Sequence, residues 1–212
     1  MKPILVTGFE PFGGEHINPS AEVARGLNGR RIGGAPVVGV VLPCVFGASI
    51  DALRAALDAH RPQLVLALGQ ASGREGFTLE RVAINLDDAR IADNAGAQPI
   101  DEPVIARGPA AHFTTLPIKA MVAALREAGH SASVSNSAGT FVCNHVFYGL
   151  QHLLAGQGSV RSGFMHLPCL PAQAAPHQPS LPVATMVEGV GIALATALTV
   201  REDIALGAGS LD

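Results

Sequence analysis

Apolar, β-branched runs alternate along this chain with stretches that carry helix start and stop signals, and that rhythm restricts the fold more than any single motif. The runs are Ile4 to Gly8, Val37 to Leu42, Leu64 to Gly69, Ser133 to Ala138 and Gly163 to Leu167. Between them, Asn18 caps and Pro19 takes the first helical position ahead of Ala21 to Leu27. Ser49 opens Ile50 to Ala59, with Pro62 beyond its end, and Pro117 opens Ile118 to Ala128, with Gly129 after it. A closing apolar helix from about Val183 to Thr199 is expected to pack on the sheet or on another subunit. The pattern predicts an α/β fold, a three-layer α/β/α sandwich around a twisted, mostly parallel (mixed) sheet. At 212 residues the chain can bury a full core, and a single domain over residues 1–212 is expected, without internal repeats.

Charge and composition exclude several classes of function. A net charge of −3 with 15% charged residues leaves no basic patch to neutralise phosphates, so nucleic acid is not expected as a partner. The apolar stretch Ile4 to Val6 is too short for a signal peptide, and Ala193 to Val200 is too short to span a bilayer. A soluble, cytoplasmic protein with no membrane partner is expected. Cys44, Cys143 and Cys169 form no disulfide framework and fit a reducing compartment with one thiol free to react. The segments 87–112 and 168–182, rich in Pro, Gly, Ala and Asp, lack periodicity and are expected to be long loops, suited to a lid or a substrate wall.

The chemistry concentrates on Cys143. From Val134 the chain runs as an alternating strand, turns through Gly139 and Thr140, and enters a helix. With Thr140 as N-cap, Cys143 stands about one turn inside, near unpaired amides and the positive end of the helix, where a thiolate is favoured. Phe164-Met-His166-Leu-Pro168 offers an imidazole at the end of a short strand, and the Phe77 to Asn85 run carries the carboxylate of Glu80. A nucleophile, a base and an orienting acid are therefore available.

Each has a plainer reading. Cys143 can be a small buried hydrophobe, His166 a structural histidine, and Glu80 a solvent-facing carboxylate paired with Arg81. Cys44 reads as core and Cys169 as a loop or partner-facing residue. Cys143 with His145, and His166 with Cys169, supply donors for zinc, but residues two apart on a helix point to different faces, so no metal is expected. Three strand ends, Phe9 to Gly14, Gln70 to Arg74 and Gly139 to Cys143, can line one crevice. The first exposes two phenyl rings, Phe9 and Phe12, and suits an apolar, planar ligand better than a phosphate; neither it nor the second has a phosphate-loop ending.

These residues carry a resemblance to the pyroglutamyl peptidase type I (pyrrolidone-carboxylate peptidase) family of cysteine peptidases. It spans Val6-Thr-Gly-Phe-Glu-Pro-Phe-Gly-Gly14 with Asn18-Pro-Ser20, and Ala67-Leu-Gly-Gln-Ala71 through Glu80-Arg-Val-Ala-Ile-Asn85. It continues through Ser137-Ala-Gly-Thr-Phe-Val-Cys-Asn144 and His166-Leu-Pro168. The resemblance implies Cys143 as nucleophile, His166 as general base and acid, and Glu80 as the group orienting the imidazole. It further implies removal of an N-terminal pyroglutamyl residue from peptides, no metal or organic cofactor, and a homotetramer. Phe9 and Phe12 would wall the flat lactam, Asn18 and Gln70 would hydrogen-bond it, Phe141 and Val142 would line the pocket, and Arg90 would lie near the developing negative charge. Phe77 and Ser72 depart from the family pattern, which favours smaller aliphatic and glycine, alanine or proline residues there. Two other classes remain in view: a purine-nucleoside or phosphate-dependent enzyme on a similar scaffold, and a binding domain without catalysis.

Overall fold

The structure is a computed structural model that describes residues 1–209; residues 210–212 of the expected domain lie outside the described residues. Strand β1 (Ile4–Phe9) leads to α1 (Pro19–Leu27), a hairpin of β2 (Arg31–Ile32) and β3 (Ala35–Leu42), α2 (Ala48–His60) and β4 (Leu64–Gln70). Then come β5 (Phe77–Glu80), β6 (Val82–Ile84), β7 (Ala111–Phe113), α3 (Ile118–Glu127), β8 (Ala132–Ser135), α4 (Val142–Leu154), β9 (Arg161–Leu167) and α5 (Val183–Thr199).

Among the described residues a seven-stranded sheet has the order β2-β3-β1-β4-β9-β5-β8. Strands β3, β1, β4 and β9 are parallel, whereas β5 runs antiparallel to β9 and β8 is parallel to β5. The period-two alternation of each strand splits its side chains between two cores. Ile4, Val6, Leu64, Leu66, Leu68, Phe77, Leu79, Met165 and Leu167 face α1, α3 and α5. Leu5, Phe9, Val65, Ala67 and Phe164 face α2 and α4. This is the expected three-layer α/β/α sandwich.

Local chemistry explains where the elements begin and end. Asn18 caps α1 as expected, its Oδ1 accepting from Ser20 N at 3.0 Å, with Pro19 next. α5 covers the span read from its apolar pattern. At α2, Gly47 rather than Ser49 takes the cap position, and Ser49 is buried inside the first turn. The strand expected over Ser133 to Ala138 stops at Ser135, where side-chain bonds between Ser135 and Ser137 divert the backbone from the ladder. The Phe77 to Asn85 run breaks at Arg81 into β5 and β6, and β6 pairs with β7, which begins at the end of the expected 87–112 loop. Three-residue strands leave no periodicity to read.

Candidate active site

Strand parity collects the proposed groups on the face covered by α4. In β5 and β9 Thr78 pairs with His166 and Glu80 with Phe164, so Glu80 and His166 are diagonal neighbours on one face. His166 is 4% exposed and Glu80 0%, and His166 Nδ1 lies 2.7 Å from Glu80 Oε1. An ionised carboxylate only accepts, so Nδ1 carries the proton and Nε2 is left with its lone pair. Glu80 is therefore no solvent-facing partner of Arg81. Its second contact is Arg74, with Nη1 at 3.1 Å from the same Oε1, and Glu80 Oε2 is buried with no hydrogen-bond partner among the described residues.

Cys143 is the second residue of α4 and stays partly open to solvent. Its Sγ sits over Gly69, the register partner of His166 in β4 and β9. A Cβ at Gly69 would come within 2.8 Å of both Cys143 Sγ and the Phe164 ring, so the glycine creates the space the sulfur occupies. Thr140 is not the cap: Phe141 holds that position without a side-chain bond, and the Thr140 hydroxyl donates to Asp88 O at 2.7 Å. Burial, the neighbouring Cys44 thiol and the Glu80 carboxylate push the Cys143 thiol up, while Arg74 opposes. Burial and the Glu80 carboxylate thus work against the thiolate that helix position alone suggests.

The rest of the crevice divides into residues free to meet a ligand and residues already committed. Phe12 and Phe141 are half-buried with ring centroids 5.9 Å apart, and Phe46 meets Phe141 edge-on at 5.4 Å. Phe9 departs from expectation: as the last residue of β1 it shares the parity of Leu5 and is 2% exposed, packed on Phe164. Val142 is also core, at 1% exposure. Among the described residues the Gln70 side chain has only a 3.4 Å contact to Ser72 and keeps its amide available. Asn18 does not: its Oδ1 accepts from Ser20 N and Oγ, and its Nδ2 donates to Glu10 O at 3.1 Å, which fixes the Phe12 loop instead. Arg90 is exposed on a segment fastened by Asp88 to Thr140. Gly139 to Cys143 joins this crevice although β8 runs opposite to β1 and β4, because the chain doubles back into α4.

Sequence reasoning passed over a second buried pair. His145 Nδ1 lies 2.7 Å from Asp87, and its Nε2 accepts from Gly47 N at 2.9 Å, so both ring nitrogens are occupied. It also overlooked Arg74, although the strand end Gln70 to Arg74 pointed to the right place. Phe77, the departure from the family pattern, turns away from the crevice and packs on Gly189 of α5 and on His130. Cys169 is 1% exposed, its thiol donating to Pro179 O at 3.3 Å, and not partner-facing.

The three thiols should separate cleanly in a native titration. Burial pushes up both Cys44 and Cys143, so exposure separates them: Cys44 is 3% and Cys169 1% exposed, whereas Cys143 is partly open. A small aromatic disulfide should therefore react with one equivalent, at Cys143, and with all three cysteines only after unfolding. Because burial raises the Cys143 thiol, the native reaction should quicken as pH rises, by about tenfold per unit while the thiol remains mostly protonated. Rapid loss of more than one native thiol would contradict this arrangement.

Over residues 2–200 the sequence matches the pattern of the family described as pyroglutamyl peptidase. The chain belongs to the pyroglutamyl peptidase family. Among its relatives in that family, the pyrrolidone-carboxylate peptidase of Cupriavidus taiwanensis is 60% identical over 100% of both chains. That of Escherichia fergusonii is 58% identical over 99% of each. The crystal structure of pyroglutamyl peptidase I from Bacillus amyloliquefaciens superposes with a TM-score of 0.94 at 45% identity, covering 97% of this chain and 99% of that one. The pyrrolidone carboxyl peptidase of Thermococcus litoralis gives 0.93 at 36% identity, covering 98% and 100%. This pyroglutamyl peptidase family member is accordingly a peptidase, a hydrolase of the cysteine type.

Proposed function

We propose that this enzyme removes an N-terminal pyroglutamyl residue from peptides with a Cys143, His166 and Glu80 triad, through a thioester intermediate. The observation that carries the reading is the buried Glu80–His166 contact of 2.7 Å on the sheet face where Cys143 lies over Gly69. His166 takes the thiol proton as the sulfur attacks the pyroglutamyl carbonyl. The first amides of α4, at Val142, Cys143 and Asn144, lack helical partners and would hold the oxyanion. Collapse of the tetrahedral intermediate breaks the C–N bond, and His166 returns the proton to the departing amine. Water, deprotonated by the same imidazole, then attacks the thioester, releases pyroglutamate and restores the thiol.

An uncharged lactam suits the crevice. Phe12 and Phe141 provide apolar walls, backed by Phe9 and Val142, and Gln70 brings the free amide. Asn18 holds the Phe12 loop in place, and Arg90 adds positive charge at the mouth. The same reading has residues 1–212 acting as one domain, in a cytoplasmic homotetramer that needs no metal or organic cofactor; light scattering tests the tetramer. Among the described residues no helix is long and apolar enough to cross a membrane.

Chromophore release from a pyroglutamyl amide, beside its prolyl analogue, tests the function. Proline lacks the lactam carbonyl and would leave a buried partner unpaired, so selectivity for pyroglutamate should be at least about 100-fold. Equal rates, or activity that survives alkylation of Cys143, would refute the proposal. The purine-nucleoside alternative predicts phosphate dependence and thiol independence, and the family match gives it no support.

A further inference from the structure

We propose that Arg74 is a positioning residue of the active site: its guanidinium keeps Glu80 ionised and aimed at His166, and fastens both to the loop that enters α4. The inference rests on the triad reading above and deepens it.

Glu80 is 0% exposed, and an isolated carboxylate at such a site would shed its charge by taking up a proton. His166 by itself cannot prevent this, because the base must be neutral to accept the thiol proton. Arg74 resolves the conflict. Its Nη1 lies 3.1 Å from Glu80 Oε1, the oxygen that also accepts from His166 Nδ1, and its side chain remains 30% exposed. The cation is therefore only partly stripped of water, while the anion it faces is fully buried. Nη2 of the same guanidinium donates to Ser137 O at 3.3 Å, in the loop that delivers Phe141 and Cys143. One guanidinium therefore sets its charge against the carboxylate and donates a hydrogen bond to the nucleophile's loop, a combination that a lysine ammonium cannot copy in full.

Among the described residues the charged side chain set against the Glu80–His166 pair is Arg74, and Glu80 and Arg74 also act on Cys143, in opposite senses. Removal of Arg74 takes a positive charge away from the Glu80–His166 pair, so the pair as a unit keeps one proton to higher pH, whichever of the two carries it. The ascending limb of kcat/KM must then move upward.

The test is the pH profile of pyroglutamyl amide cleavage by Arg74→Met and Arg74→Lys, each also placed in a Glu80→Gln background. Arg74→Met should shift the ascending limb up by about one pH unit, costing about 30-fold in kcat/KM near pH 6 and about threefold near pH 8.5, mostly in kcat. Arg74→Lys should restore the limb position but only part of the rate, and the Arg74→Met effect should shrink when Glu80 is already Gln. An unshifted limb in Arg74→Met, or a loss equal at all pH values, would overturn the proposal while leaving the triad reading intact. Absence of pyroglutamyl turnover by the parent enzyme would overturn both.

Discussion

Cys143→Ala will fold like the parent protein and lose nearly all turnover, with kcat falling about 100,000-fold or more. The expected size follows from what the substitution removes. Without the sulfur there is no covalent intermediate, and the residual rate comes only from the oxyanion site and from binding. Little of the fold depends on the same atom. Cys143 is partly exposed, and the deletion leaves one small space over Gly69, worth about 1 kcal/mol of stability. Cys143→Ser should be nearly as inactive, since a hydroxyl is a far weaker acid than a thiol and His166 alone must ionise it. Steady-state kinetics on a pyroglutamyl amide, with thermal melting by circular dichroism as the control for folding, measures both. Turnover within about tenfold of the parent in Cys143→Ala would refute the mechanism.

Much of this arrangement was legible from residue order because it rests on local rules. Asn18-Pro19 announces α1 through capping chemistry, and α5 declares itself by a sustained apolar pattern. What was not legible depends on register and strand direction. Phe9 reads from its loop motif as a wall of the crevice, but strand parity puts it beside Leu5 in the core. The polarity of β5 and β8, each only four residues long, follows from their pairing with β9 and with each other, and no hydropathy pattern encodes that. Glu80 shows the same limit. Its neighbour Arg81 suggested an exposed pair, whereas its charge is met by Arg74 across a loop and by His166 from another strand. Thr140 failed as a cap for a related reason, since its hydroxyl is claimed by Asp88, 52 residues away. Asn18 was legible twice over, as a cap and as a ligand, and the structure spends its side chain on the first.

The triad's other two members should rank below Cys143 in a fixed order, and the ranking separates their roles. His166→Ala removes the base proposed for the thiol, and with burial pushing the Cys143 thiol up, kcat should fall about 10,000-fold. Glu80→Gln keeps size and one acceptor for His166 Nδ1, so it should cost less, about 100- to 1,000-fold, through weakened support of the imidazolium that forms during the reaction. Its pH signature is the sharper readout. A carboxylate beside the ring favours the protonated imidazole, so its loss lets the base shed its proton earlier, and the ascending limb of kcat/KM moves to lower pH over a much reduced plateau. Arg74→Met moves the same limb the other way. A packing defect at either position would lower the plateau but would not displace the limb in opposite directions, so the paired profiles test whether Glu80 and Arg74 act on His166 through charge.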